Sequence, residues 1–302
     1  MARYMDGFLS AARTSARDPE MTPHFVVIGA MKCGTTTLAA QLGAQSGIFM
    51  TDPKEPQYFS DDAVFAHGPD WYGALFAGAA ESDIRGEAST HYTKRPELPK
   101  TLERMQAALP DVRLVYMIRD PMARLVSHYV HEWSQGVLSR PLDVEIDAHT
   151  PLVDYGRFGW QIAPFIEAYG REAVLLTSLE RMTADPEGEL ARVASHIGAA
   201  GAVGWVHDNA AENVSAKRTR KLPLHGLIVD NPVADALRRT LVPKSLRTWV
   251  REARQIKGRP QIPEDRVTEL QARFAQDREI LAGFFPGDLS LDLAYPFLDP
   301  VA

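Results

Sequence analysis

The chain has 302 residues, 45% of them hydrophobic, which is enough to bury one large core. Its net charge of −6 gives no sign of nucleic-acid binding. The lone cysteine, Cys33, excludes an intrachain disulfide and gives no sign of an oxidising compartment.

Residues 1–23 are polar and irregular and read as an N-terminal arm ahead of one domain spanning 24–302. The apolar run from Gly7 to Ala12 is too short for a signal peptide and is bracketed by Asp6 and Arg13. No stretch approaches the ~18 apolar residues of a transmembrane helix. The expectation is a soluble, cytoplasmic protein. Residues 24–28, bounded by Pro23 and Gly29, read as a buried strand, and 35–42 as the helix after it. A weaker strand is expected at 83–86, and a helix over 96–109 from the spacing of Leu98, Leu102, Met105 and Leu109. Residues 112–118 form a second strong strand, and Pro121 starts a long helix. A third apolar strand covers 173–177; a helix over 186–197 closes at Gly198. The last amphipathic helix, 263–281, carries Val267, Leu270, Phe274 and Leu281 on one stripe. Strands alternate with helices. The pattern predicts a single-domain α/β fold, a P-loop-like parallel sheet with helices on both faces and ligands at the strands' carboxyl ends.

Two turns at those ends carry the chemistry. Gly29-Ala30-Met31-Lys32-Cys33-Gly34-Thr35-Thr36-Thr37 joins the first strand to its helix. A glycine-bounded loop there is an anion cradle, with backbone N–H groups and the helix dipole facing the ligand. A nucleotide-binding P-loop needs lysine straight after its second glycine; here Thr35 holds that place and Lys32 lies inside the loop. The second turn is Arg119-Asp120-Pro121, followed by Arg124, Ser127 and His128. Arg119 and Ser127 suit a second phosphate, by charge-assisted and hydroxyl hydrogen bonds. Asp120 is expected to be structural, at the helix start.

The two turns together resemble the signature by which sulfotransferases bind 3′-phosphoadenosine-5′-phosphosulfate (PAPS). The resemblance implies that Lys32, Cys33, Gly34, Thr35, Thr36 and Thr37 hold the 5′-phosphosulfate, with Lys32 neutralising the leaving group. It implies that Arg119 and Ser127 hold the 3′-phosphate, and that no metal is needed. Lys54-Glu55-Pro56-Gln57-Tyr58-Phe59 is similar to a segment of the glycosaminoglycan (heparan sulfate) branch, whose catalytic glutamate falls on Glu55. Trp71-Tyr72, Gly86-Glu87-Ala88-Ser89 and the block 159–198 look like the same branch. The acceptor is then a hydroxyl, of a carbohydrate or glycoconjugate. Two departures from the animal enzymes, the missing anchor and the missing C-terminal disulfide, leave the acceptor open.

Rival bases are His91 and His128, because the small-molecule branch of the family uses histidine. A histidine base would suit a small-molecule or lipid hydroxyl. Two other classes stay in view, a P-loop kinase and a catalytically dead PAPS-binding module. The first wants a lysine after Gly34, and the second would lack Glu55. Residues 214–259 hold twelve Lys or Arg against three acidic residues. Within them, Arg218 and Arg220 sit where the family folds a loop over the 3′-phosphate. The basic stretch 227–259 suits an acceptor cleft or a homodimer contact.

Overall fold

The computed structural model describes residues 22–199, 201–206 and 258–298. Arg218, Arg220 and all but the end of the basic stretch lie outside the described residues.

Five strands form one sheet: β1 (Phe25–Gly29), β2 (Ile48–Met50), β3 (Ile84–Ala88), β4 (Arg113–Ile118) and β5 (Val174–Ser178). They run in the order β2-β3-β1-β4-β5, and every pairing is parallel. All of β1 is buried, and so is β4 after its exposed first residue, Arg113. A parallel sheet covered on both faces demands such continuous apolar runs, which is why these strands carry no polar alternation. The pairing is tight where β1 meets β3. Gly86 lies opposite Phe25, and a Cβ at Gly86 would run into the Phe25 ring.

Helices flank the sheet. α1 (Thr35–Gly43) follows β1; α2 (Asp62–Phe65), α3 (Gly68–Ala74) and α4 (Thr101–Ala108) precede β4. After it come α5 (Pro121–Gln135), α6 (Leu142–Ala148), α7 (Pro151–Asp154) and α8 (Phe158–Tyr169). α9 (Leu179–Ala184) and α10 (Pro186–Ile197) follow β5, and α11 (Glu264–Phe284) and α12 (Leu289–Ala294) end the described chain. α1 and α10 pack on each other and on the central strands, whereas α8 packs against α4, α11 and β5.

The helix expected over 96–109 begins only at Thr101. Pro96 and Pro99 lack the N–H that a helix interior needs, and each disfavours helical backbone in the residue before it. The strand expected over 83–86 runs on through Glu87 to Ala88, because the Glu87 carboxyl meets hydroxyl partners inside the fold. Asp120 caps α5: its side chain accepts the Met122 N–H at 2.9 Å. α11 buries Leu270, Phe274 and Leu281, as the stripe predicts, and Asp277 with them. Asp277 accepts the N–H groups of Gly159 at 2.7 Å and Trp160 at 2.9 Å, the first turn of α8. Burial pushes this carboxyl up to about 6 despite those two donors.

Candidate active site

The sheet brings the separate motifs to one edge. β1 and β4 are neighbours, so the loop after Gly29 and the turn after Ile118 lie side by side. The Ala30 N–H donates to the Met117 carbonyl at 2.7 Å and ties the two together. Gly34 caps α1 at φ 94, a left-handed conformation that glycine adopts freely. A Cβ there would also come within 2.9 Å of Leu179, so the loop needs glycine twice over. Lys32, at φ 68 and half-buried, shares this tight geometry. Thr35 opens the helix with its side chain buried, and Thr36 and Thr37 remain half-exposed on the first turn. These features form a cradle of loop and helix N-terminus of the kind that receives a phosphate.

Cys33 points the other way. Its side chain is fully buried, and its N–H turns back to the Ala30 carbonyl at 3.3 Å. Burial pushes the thiol up to about 12, although the cations of Arg124, Arg119 and Lys32 pull it down. Those three cations therefore converge around the loop. Arg119 leaves β4 half-exposed, and Ser127 lies buried two turns into α5.

Arg124 sits between them in sequence, and is fully buried. It donates to the Leu152 carbonyl and approaches His128 Nδ1 at 3.4 Å. Among the described residues no carboxylate pairs with it, and burial lowers its pKa to about 10. His128 is held between Arg124 and Glu132 and stacks on Tyr155, ring centroids 5.5 Å apart. Burial, followed by the Arg124 charge, outweighs Glu132 and lowers its pKa to about 3, so it stays neutral.

Glu55 reaches the same edge from the loop after β2. Its N–H donates to the Ala88 carbonyl at the end of β3, at 3.0 Å. Its Oε1 accepts from Lys54 Nζ at 2.7 Å and from the Thr90 hydroxyl at 3.3 Å. Its Oε2 faces His91 Nδ1 at 3.6 Å, just beyond hydrogen-bond length. Burial opposes the charge, but His91 and Lys54 together outweigh it and hold the carboxyl at about 2. Thr90 and His91 belong to a short 3-10 turn, Thr90–Thr93, directly after β3. Behind Glu55, Tyr58 and Phe59 are buried: Tyr58 stacks on Tyr72 at 4.5 Å, and Phe59 meets the Tyr92 edge at 5.6 Å.

Lys94 gave no signal in the sequence. It follows the 3-10 turn, lies over the Tyr155 ring at 5.6 Å, and forms no ion pair among the described residues. Burial lowers its pKa to about 8, against the pull of Glu132, Glu55 and Glu97. Glu180, at the head of α9, accepts the Asp120 N–H at 3.0 Å, and burial raises its pKa. Neither burial could be foreseen, since each depends on elements distant in sequence.

The glycine loop, the Arg119 turn and the Glu55 carboxylate meet at the carboxyl edge of a parallel sheet and define an α/β protein with an anion cradle beside a carboxylate. The sulfotransferase domain model matches residues 22–231, more than half of the chain, and the chain belongs to the sulfotransferase family. Heparan sulfate glucosamine 3-O-sulfotransferase 3A1 of Mus musculus is 27% identical over 190 residues, 58% of this chain and 46% of the relative. The membrane-associated sulfotransferase kil1 of Dictyostelium discoideum is 32% identical over 130 residues, 41% of this chain and 26% of that protein. The chain thus spans about half or less of the length of these relatives. Among solved structures, a sulfotransferase from Alicyclobacillus acidocaldarius shares the fold with a TM-score of 0.62 at 23% identity, covering 89% of this chain and 98% of that one.

Proposed function

We infer that the chain is a sulfotransferase that moves the sulfuryl group of PAPS to a hydroxyl of a carbohydrate acceptor, with Glu55 as general base. The observation that carries this reading is the placement of Glu55. Its carboxylate is ionised and lies at the sheet edge that also bears the Lys32 loop and Arg119. Likeness to 3-O-sulfotransferases of heparan sulfate supports the carbohydrate acceptor.

The roles follow from the chemistry. Lys32, Gly34 and the Thr35–Thr37 turn hold the 5′-phosphosulfate, and Arg119 and Ser127 hold the 3′-phosphate. The acceptor oxygen forms the new bond to sulfur while its proton passes to a Glu55 oxygen. The bond from sulfur to the bridging oxygen breaks, and its electron pair stays on the 5′-phosphate of the departing 3′-phosphoadenosine-5′-phosphate (PAP). Lys32 stabilises that developing charge, which is where electrostatic catalysis acts most strongly. In-line geometry and a placed base meet the remaining demands of such a transfer.

His91 supports a second reading. Its ring stands beside Glu55, with Nδ1 3.6 Å from Oε2, so a histidine base would act from the same place on a small-molecule or lipid hydroxyl. The test is transfer of radiolabelled sulfate from PAPS to a panel of glycans, sterols and phenols, in the wild type, Glu55→Gln and His91→Ala. Glu55→Gln should retain PAP binding and lose at least about a hundredfold in kcat on a glycan. An active Glu55→Gln beside a dead His91→Ala would move the base to His91 and the acceptor away from carbohydrate.

A further inference from the structure

Glu87 takes no part in the chemistry above, yet its carboxyl lies fully buried in β3. Three hydroxyls close on it. Tyr72 and Tyr92 each donate to Oε1 at 2.8 Å, and Ser89 Oγ donates to Oε2 at 3.2 Å. No cation pairs with it among the described residues, so burial dominates and pushes it up to about 7 against the three hydroxyls. Space alone does not call for such a group, since an apolar side chain of similar volume avoids the desolvation.

What the carboxyl does is legible in its neighbour. Ser89 Oγ also accepts the Gln57 N–H at 3.2 Å. Gln57 stands at φ 56 and Glu55 at φ 61, both in the left-handed region that non-glycine residues avoid. This strained loop is therefore tied to the end of β3 at two points: the Ala88 carbonyl, which takes the Glu55 N–H, and the Ser89 hydroxyl, which takes the Gln57 N–H. The direction of the Ser89 hydroxyl is in turn set by Glu87.

We propose that Glu87 is a positioning residue for Glu55, acting through Ser89 on the Gln57 N–H to fix the loop that presents the carboxylate. The proposal rests on the reading of Glu55 as base. With Glu87 ionised, the Ser89 O–H points at Oε2 and its lone pairs are left for Gln57. Oε1 is already taken by two tyrosines, so a proton added to Glu87 resides on Oε2. It then donates to Ser89 Oγ and turns the serine proton away from Oε2, so Ser89 divides its two lone pairs between Glu87 and the Gln57 N–H and holds the loop less tightly. The tether is strongest above the Glu87 midpoint and weakest below it. The titratable groups facing this carboxyl are Tyr72 from α3 and Tyr92 from the 3-10 turn. Burial raises both well above their usual range, so neither changes state near neutral pH. His91, Lys54 and Lys94 act on Glu55 instead.

Glu87→Gln keeps an oxygen for both tyrosines and places a donor where Oε2 was, imitating the protonated state. Ser89→Ala removes the relay. The primary readout is hydrogen exchange of the Gln57 amide between about pH 6 and 8, corrected for intrinsic exchange, with PAP binding as the check on folding. Wild-type protection should rise about tenfold across that range. Both variants should stay at the low level throughout, bind PAP normally, and be non-additive when combined. Release of PAP from PAPS, with a heparan sulfate mixture as probe acceptor, should fall in kcat by about tenfold without a change in KM for PAPS. Unchanged Gln57 protection in both variants overturns the proposal, as does an additive double variant. Full turnover in Glu55→Gln overturns the base reading, and with it the purpose of the tether. A dead Glu55→Gln beside fully active relay variants overturns this proposal alone.

Discussion

Lys54 and Glu55 set a conflict within one pair of side chains. A good base holds its proton near the working pH, but Glu55 is held at about 2 once burial is outweighed by His91 and Lys54. It is ready to accept a proton and reluctant to keep one. The 2.7 Å contact with Lys54 is the adjustable part, because both side chains are about a quarter exposed. The sign is fixed. A carboxyl depressed below its usual 4.5 adds stability that is present above that value and lost as pH falls through about 2. Lys54→Met removes a cation that favours the carboxylate, so the Glu55 midpoint rises. The acid limb of the kcat profile should move to higher pH by about one unit. Stability at neutral pH should change by less than about 1 kcal/mol, since partly exposed pairs contribute little. A limb that stays put would show that Lys54 does not act on the base.

At the scale of elements, strength of pattern decided what could be read in advance. β1, β4 and β5 are apolar runs closed by glycine, proline or polar turns, and the sequence marks all three. β2 is three residues long, too short for any periodicity to show. α8 holds Pro164 in its interior and Gly159 in its first turn, both breakers of a helical pattern, so no helical signal shows there in the sequence. Its support comes from α11, where Asp277 accepts two of its orphan N–H groups. A helix end buried against a distant carboxylate leaves no local mark, since the residue at the cap position, Arg157, makes no capping bond with its side chain. In the site, the glycine loop and the Arg119 turn were legible because backbone geometry dictates their residues, whereas Lys94, Arg124 and Glu87 owe their states to burial by other elements. Asp277→Ala strips two buried amides of their acceptor. It should cost about 2–5 kcal/mol, read as a lower denaturant midpoint in urea. A loss below about 1 kcal/mol would mean that water replaces the carboxylate and that α8 stands on its own packing.

For the whole molecule the sheet is the instrument of assembly. Because β1 and β4 are neighbours in a rigid, buried layer, the Lys32 loop and the Arg119 turn keep a fixed separation. A ligand with phosphates at both ends can engage both turns, whereas one with a single phosphate engages one of them. Binding to the native state alone raises stability by RT ln(1 + [L]/Kd), about 2.7 kcal/mol at a hundredfold excess over Kd. PAP should therefore raise the melting temperature clearly more than AMP at equal concentration. Each charge-assisted bond that AMP cannot make to the 3′ site is worth roughly 1.5–3 kcal/mol. The gain should survive in EDTA, because the cations around the loop are Lys32, Arg119 and Arg124 of the chain itself. Arg119→Ala should erase most of the difference between the two nucleotides while leaving the AMP shift in place. Equal shifts for PAP and AMP in the wild type would mean that the turn after β4 does not receive a second phosphate.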